Sequence, residues 1–348
     1  MNRIIETDLQ TILNQTHRIL KKNFVKESSI FITGATGFFG KWLLESLLYL
    51  NKELDLNANI CALSRKPEIF LERFPFYKNE KCITWIKDDI RTFEFPSEQY
   101  NYFIHAATDA DAKLNTENPL LMLDTITEGT KRVLEFAKEQ SELKAFLLTS
   151  SGAVYGEQPE NVTHISETDS FHIDINKPGS AYAEGKRLSE LYCSIYAKQY
   201  NMPIKIARCF AFVGPYLPLD KHFAVGNFIR NGLNGENIII KGDGKPLRSY
   251  MYSADLVIWL LTILLKGNSG ETYNVGSDVP ISIKELALKV AGFFPDISVK
   301  ILNQVLPTDR NQNYVPNINK AKTQFHFKER ISLTDSISKT IQYYKQHG

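Results

Sequence analysis

Apolar positions along this chain follow two rhythms that alternate. Residues 4–24 place Ile5, Leu9, Ile12, Leu13, Ile19 and Leu20 at near-helical spacing, which predicts an amphipathic helix ahead of the first strand. The apolar run Ser29-Ile30-Phe31-Ile32-Thr33 then predicts a buried strand. A glycine-rich stretch, Gly34-Ala35-Thr36-Gly37-Phe38-Phe39-Gly40-Lys41, separates it from a helical pattern beginning Trp42-Leu43-Leu44. Strands are predicted near 58–63, 82–87, 100–105, 144–150 and 203–208, with helices near 119–139 and 181–200. Such alternation predicts an α/β fold built on a doubly wound parallel (Rossmann) sheet. From about residue 209 the texture changes, as Gly214-Pro215, Leu217-Pro218, Gly232, Gly235, Gly242-Asp243-Gly244 and Pro246 break the chain into short elements. Helices near 222–234, 253–266, 283–293 and 332–345 and strands near 237–240 and 272–275 predict a smaller C-terminal lobe. No internal repeat or low-complexity stretch is seen.

Composition narrows the class. A chain of 348 residues can bury a large α/β core, and a net charge of only +2 makes nucleic acid and anionic membrane poor default partners. Cys61, Cys82, Cys193 and Cys209 form no Cys-x-x-Cys pair and read as reduced, buried and structural. The N-terminus carries Glu6, Asp8, Arg18, Lys21 and Lys22 among its apolar residues, unlike a signal peptide, and no segment approaches the roughly 20 apolar residues of a membrane span. The expectation is a soluble cytoplasmic protein without membrane or nucleic-acid partners.

The glycine turn lies where a dinucleotide pyrophosphate would sit, because glycines let the backbone turn tightly and the helix start presents N–H groups. Its spacing is Gly-x-x-Gly-x-x-Gly, a variant of the general fingerprint, and a glycine-rich turn without nucleotide is the bland alternative. More specific is Tyr182-Ala183-Glu184-Gly185-Lys186 on a predicted helix, after Leu147-Leu148-Thr149-Ser150-Ser151-Gly152-Ala153-Val154-Tyr155-Gly156 at a strand end. A Tyr and a Lys four apart share one helical face. The ammonium can stabilise a tyrosinate, lower the phenol's pKa and hydrogen-bond a cofactor ribose, while a serine at the strand end faces the same reacting oxygen. Each element alone occurs by chance on many proteins; their order along the chain is what favours a proton-transfer site beside a hydride carrier.

With these motifs the chain resembles the extended short-chain dehydrogenases/reductases, the nucleotide-sugar epimerase/dehydratase group that includes decarboxylases and reductases, over about residues 28–330. "ITGATGFFG" is similar to that family's cofactor loop, "FIHAAT" at 103–108 to the strand bordering the nicotinamide, and "SSGAVYG" at 150–156 to its Ser/Thr strand. "SAYAEGKRLSE" at 180–190 resembles the catalytic helix, especially that of nucleotide-sugar decarboxylases, and "VGNFIRNGLNGENIIIKGDGKPLRSYMYSADL" resembles the segment that holds the nucleoside diphosphate. The resemblance implies Ser151, Tyr182 and Lys186 as the catalytic set, and as cofactor contacts Tyr182 and Lys186 again with Gly34, Thr36, Gly37, Phe38, Phe39, Gly40, Ser64, Arg65, Asp89, Ile90, Ala106 and Ala107. It implies Ser151, Asn227 and Arg248 as substrate contacts; Arg248 suits a diphosphate by its guanidinium fork, a surface salt bridge being the alternative. Asp89 matches an adenine-contacting acidic residue, a turn-capping Asp being the alternative. The implied division is a helical extension at 1–27, a Rossmann cofactor-binding domain at 28–208 and a mainly substrate-binding lobe at 209–348, some segments of which return to the Rossmann domain. Relatives also lead one to expect a homodimer through the helices near 119–139 and 181–200.

Departures from the family pattern select the reaction. Members that dehydrate or decarboxylate carry acidic residues after the strand's Ser/Thr, where this chain has Gly152 and Ala153, neither an acid nor a base. That disfavours a 4,6-dehydratase or decarboxylase and leaves one hydride and one proton at a single carbon. At the end of the second strand, Cys61-Ala62-Leu63-Ser64-Arg65-Lys66 lacks the acidic residue usual for NAD, and Ser64, Arg65 and Lys66 suit a 2′-phosphate; NADP(H) is favoured and NAD(H) stays open. Ala211 stands near a customary Asn, and Ile126 replaces the Asn expected three residues before Gly129 in what reads as a loop containing Gly129-Thr130. His105 reads as a packed residue, Asp109 and Asp111 as loop or helix-start residues, and His164 and His172 lack metal-ligand spacing, so no metal is expected. The expected activity is NADP(H)-dependent reduction of a nucleotide-diphosphate 4-keto(-6-deoxy) sugar, such as dTDP-4-dehydro-6-deoxyglucose, in polysaccharide sugar-nucleotide biosynthesis. The alternatives are an NAD-dependent nucleotide-sugar 4-epimerase, then a decarboxylase or dehydratase, and, from another class, a non-catalytic NADP-sensing protein.

Overall fold

The structure, a computed structural model, describes residues 5–108, 112–221, 223–304 and 313–347. The first amphipathic pattern forms α1 (Glu6–Asn23), which buries Leu9, Ile12, Thr16 and Leu20 and sets Glu6 and Asp8 in its first turn, Lys21 and Lys22 in its last, as the helix dipole favours. After β1 (Ser29–Thr33), α2 (Phe38–Glu53) starts inside the glycine stretch, earlier than the apolar pattern at Trp42 indicates. β2 (Asn59–Ser64) leads to α3 (Pro67–Arg73), with Pro67 preset for a first turn, and then to β3 (Ile83–Lys87) and β4 (Tyr102–His105). α4 (Ala112–Glu117) precedes α5 (Pro119–Lys138), whose N-cap Asn118 accepts a hydrogen bond from the Leu121 N–H at 3.2 Å. β5 (Ala145–Ser151), α6 (Ala181–Tyr200) and β6 (Ile204–Cys209) follow.

The remainder runs through β7 (Phe212–Val213), α7 (Ala224–Leu233), β8 (Ile238–Ile240), β9 (Leu247–Arg248), β10 (Met251–Tyr252), α8 (Ser253–Lys266) and β11 (Thr272–Val275). It ends with β12 (Ile281–Ser282), α9 (Ile283–Ala291), β13 (Val299–Ile301), α10 (Asn319–Phe325) and α11 (Leu333–His347). A reciprocal capping box between Ser282 and Glu285 starts α9.

A seven-stranded parallel sheet has the order β11-β6-β5-β4-β1-β2-β3, the Rossmann arrangement. β4 and β5 are buried along their whole length, which explains their unbroken apolar runs: helices cover both faces of such a sheet. Phe31, Phe103, Phe136 and Phe146 form an aromatic part of the core, with Phe31 and Phe136 5.2 Å apart edge-to-face. Register pairs Thr33 with both Leu63 and His105, and His105 with Leu148, so the chain leaves β1, β2, β4 and β5 along one edge of the sheet. Strand order reverses between β1 and β4, where open α/β sheets bind ligands.

Two compact units result: one comprises Met1–Val154, Asp174–Arg208 and Val257–Tyr273, the other Tyr155–Ile173, Cys209–Leu256 and Asn274–Gly348. Two details of the sequence reading change. Gly129 and Thr130 stand within α5 and not in a loop, and Cys82 is only half-buried, although all four cysteines are unpaired.

Candidate active site

The glycine turn is held by backbone packing. Gly34 has φ +73°, and a Cβ there would stand 2.5 Å from the Ala106 carbonyl oxygen and 2.7 Å from the Ala107 nitrogen; at Gly40 a Cβ would overlap the Gly34 carbonyl oxygen. Only glycine lets β1, the start of α2 and the chain after β4 approach this closely. Gly37, exposed, is the N-cap of α2 and offers no side chain to its first-turn N–H groups, whose partial positive charge suits an anion. Thr36, Phe38 and Phe39 are half-buried around it.

The chain leaving β4 is tied to β1 by the Ala106 N–H on the Thr33 carbonyl at 3.2 Å and the Ala107 N–H on Thr33 Oγ1 at 3.2 Å. His105, 3% exposed, is bonded through both ring nitrogens: Nδ1 to Thr33 Oγ1 at 2.7 Å and Nε2 to Thr130 Oγ1 at 3.0 Å. Thr130 Oγ1 donates to the Ile126 carbonyl at 2.6 Å, so it accepts from an Nε2–H, and Nδ1 accepts from Thr33. Burial, with Lys186 adding in the same direction, pushes the imidazole down to about 3, so it is neutral. A neutral His105 carries a consequence for folding. Between about pH 6.5, where an unfolded histidine titrates, and about 3, the unfolded chain holds a proton the folded chain lacks, so acidification destabilises the fold. His105→Gln abolishes that component. At pH 7 the variant is expected to be about 2 kcal/mol less stable for its broken bonds, and the gap should narrow by about 2 kcal/mol at pH 5. Urea unfolding of both proteins at the two pH values checks this; a constant gap would show that His105 titrates normally in the fold.

Ser151 ends β5 and is buried, its Oγ accepting from the Ala153 N–H at 3.1 Å as the chain tightens into a 3-10 turn over Gly152–Tyr155. Tyr182 and Lys186 stand one turn apart on α6, Tyr182 half-buried and Lys186 4% exposed. The ammonium of Lys186 donates to the Thr149 carbonyl at 2.9 Å, which places it beside the carboxyl end of β5, and to Thr108 Oγ1 at 2.7 Å. Asn115 anchors the start of α6, accepting from the Tyr182 N–H at 3.1 Å and donating to the Gly179 carbonyl at 2.7 Å. Ile126 packs on Gly185, whose added Cβ would lie 3.3 Å from it, so α5 and α6 meet closely next to Lys186. Ser151 thus ends β5, the Lys186 ammonium lies beside that strand at Thr149, and Tyr182 stands one turn before Lys186 on α6. Thr108, Asn115 and Thr149 were invisible as functional residues in the sequence.

At the ends of β2 and β3, Ser64 is half-buried and Arg65 and Lys66 are exposed, with Ser64 Oγ accepting from the Lys66 N–H at 3.4 Å. No carboxylate stands at 64–66. Asp89 is gripped by Arg91 through two bonds of 2.9 and 3.0 Å; that grip, with Arg65 adding to it, holds its carboxyl below the usual range. Ile90 is buried under Gly129 of α5. Asp109 and Asp111 lie outside the described residues.

In the second unit Asn227 is half-buried on α7, and Arg248 on β9 donates from Nη1 to the Leu247 carbonyl at 2.9 Å beside Tyr250 and Tyr314. Burial lowers the guanidinium's pKa and pushes Tyr250 up to about 12. His164 bonds to Thr163 and to the Asp278 carbonyl. Among the described residues no group of three or more His, Cys, Asp or Glu side chains could hold a metal ion, and no helix is long and apolar enough to cross a membrane.

Residues 30–276 match the NAD dependent epimerase/dehydratase family. The chain is 30% identical over 320 residues to UDP-glucuronic acid decarboxylase 1 of Xenopus tropicalis, covering 91% of this chain and 72% of that protein. Its fold is that of UDP-N-acetylglucosamine 4-epimerase from Methanobrevibacter ruminantium M1 (TM-score 0.79, 22% identity, 93% of this chain and 100% of that one). It equally matches UDP-glucuronic acid 4-epimerase from Bacillus cereus, solved with UDP-glucuronic acid and NAD (TM-score 0.78, 23% identity, 91% and 99%). The matched range spans the glycine turn between β1 and α2, the Ser151 strand end and the Tyr182/Lys186 helix, and the chain belongs to the NAD dependent epimerase/dehydratase family, a family of enzymes.

Proposed function

We propose that the chain is an NADP(H)-dependent reductase of a nucleotide-diphosphate 4-keto sugar, a 4-keto-6-deoxyhexose such as dTDP-4-dehydro-6-deoxyglucose. The observation that carries the reading is the pairing of Ser151, Tyr182 and Lys186 with Gly152 and Ala153, which supply neither acid nor base for a second carbon. The turn fits a dinucleotide: Gly34 and Gly40 bring the backbone close, and the N-terminus of α2 has no side-chain cap. Gly34, Thr36, Gly37, Phe38, Phe39 and Gly40 would hold the pyrophosphate side, Ala106, Ala107 and Ile90 the flanks, and Ser64 and Arg65 a 2′-phosphate. Asp89 would keep its adenine role only alongside Arg91, which already grips it. When bound, the cofactor supplies the hydride. The chain's own part is the proton: the Tyr182 phenol gives it to the oxygen developing at C4, Ser151 donates a hydrogen bond to that oxygen, and the Lys186 charge stabilises the resulting tyrosinate. Arg248 and Asn227 would bind the diphosphate.

A second reading, NAD-dependent 4-epimerisation, is favoured by the 4-epimerases that share the fold and needs the same three residues. UDP-glucuronic acid decarboxylation is suggested by the relative at 30% identity and is opposed by Gly152 and Ala153. Incubating the chain with UDP-, dTDP-, GDP- and CDP-linked sugars and 4-keto sugars, with NADPH or NADH, and weighing the products decides between them. Gain of two hydrogens with NADPH oxidation is expected. An unchanged mass with inverted C4 means epimerisation, and loss of carbon dioxide or water overturns both readings.

A further inference from the structure

Lys186 is a buried ammonium that donates to Thr108 Oγ1 at 2.7 Å and to the Thr149 carbonyl at 2.9 Å, neutral oxygens that follow β4 and lie on β5. The Thr108 hydroxyl gives its own proton to the Ala107 carbonyl at 2.7 Å, which turns its lone pairs to the ammonium. The residues just before Thr108 are tied to β1 and α5. Ala106 and Ala107 are bonded to Thr33 of β1, and His105, just before them, is pinned between Thr33 and Thr130.

A lysine stem has four rotatable carbons and a point charge, so it holds one position only where acceptors fix it. A carboxylate would fix it too, but would cancel much of the field that acts on a neighbouring phenol. A hydroxyl and a carbonyl fix it without themselves cancelling the charge. We propose that Thr108 is a positioning residue: together with the Thr149 carbonyl it fixes the ammonium of Lys186 where that charge acts on the phenol of Tyr182 one helical turn away. This inference rests on the reading of Tyr182 and Lys186 as a working pair. Among the described residues, His105 on β4 and Cys193 on α6 feel the Lys186 charge; Cys193 also feels Glu190, which is paired with Arg208 of β6, and burial pushes the Cys193 thiol up.

The test needs no substrate. The ultraviolet tyrosinate band of the full-length chain is titrated with pH, and the same titration of Tyr182→Phe is subtracted, which isolates Tyr182 from the other tyrosines of the 16 in the chain. Thr108→Val, nearly isosteric, is expected to raise the Tyr182 midpoint by about one pH unit, Thr108→Ser to leave it at the wild-type value, and Lys186→Met to raise it further. Circular dichroism and thermal unfolding establish that each variant is folded. If Lys186→Met raises the midpoint and Thr108→Val does not, Thr108 does not position the lysine. If Lys186→Met leaves the midpoint unchanged, the Tyr182/Lys186 pairing itself is wrong and the role of Thr108 falls with it. A Thr108→Ser variant that behaves like Thr108→Val overturns the hydroxyl's role as well.

Discussion

Tyr182→Phe is expected to lower turnover about 10²–10⁴-fold, the range of a lost general acid, without measurable loss of folding. The substitution removes one oxygen from a half-buried side chain and leaves untouched what places it. The Tyr182 N–H still reaches Asn115, the Lys186 ammonium still reaches Thr108 and Thr149, and α6 still packs on α5. Cofactor affinity should therefore be retained, because the glycine turn lies on β1 and α2, and the loss should fall on the chemical step. Single-turnover reaction of the nucleotide sugar identified by product mass, beside a cofactor-binding titration, separates the two. A variant with nearly full turnover would remove Tyr182 as proton donor and direct the search to Ser151.

The fold was legible wherever an element is long and one-sidedly or wholly apolar. The pattern of α1, the buried runs of β1, β2, β4 and β5, and the helices α5 and α6 all stand within a few residues of where periodicity puts them. Elements of two residues were not, although the three-residue β8 fell where its apolar run put it. β7 and β10 exist as strands only because Phe212 and Val213 find Met251 and Tyr252, and no period can be read from two positions. α3 escapes for a related reason: its seven residues begin at Pro67 and bury only Pro67 and Phe70. At the site, motif residues were legible because spacing alone put Tyr182 and Lys186 on one face. Thr108 was not, since a threonine after a strand has no pattern and acquires meaning only through a lysine 78 positions on. Ile126 shows the opposite case: it departs from the family's polar residue, and the structure uses its bulk to cover Gly185.

The largest effect on stability is expected from a residue that no motif singles out as structural. Arg208, on β6, meets Glu190 on α6 with Nε 3.0 Å from Oε1 and Nη2 2.7 Å from Oε2, and the same carboxylate accepts from the Ser150 hydroxyl on β5. The side chains are only 16% and 11% exposed, so neither charge can turn to water when its partner is lost. Arg208→Leu should cost about 3–5 kcal/mol, because it strands a buried carboxylate with a single hydroxyl donor. The double variant Arg208→Leu/Glu190→Leu should recover much of that loss, since a well-packed apolar pair often replaces a buried ion pair at little cost. Urea unfolding of wild type, both single variants and the double completes the cycle. A single Arg208→Leu variant as stable as wild type would mean that the pair is solvated in practice. The pair also bears on the chemistry, because Glu190 lies one turn beyond Lys186 and Ser150 immediately precedes Ser151. Loosening it lets α6 and the end of β5 move independently, and turnover should fall in Arg208→Leu even at temperatures where the chain stays folded, and return with the double variant only as far as α6 is again packed on β5.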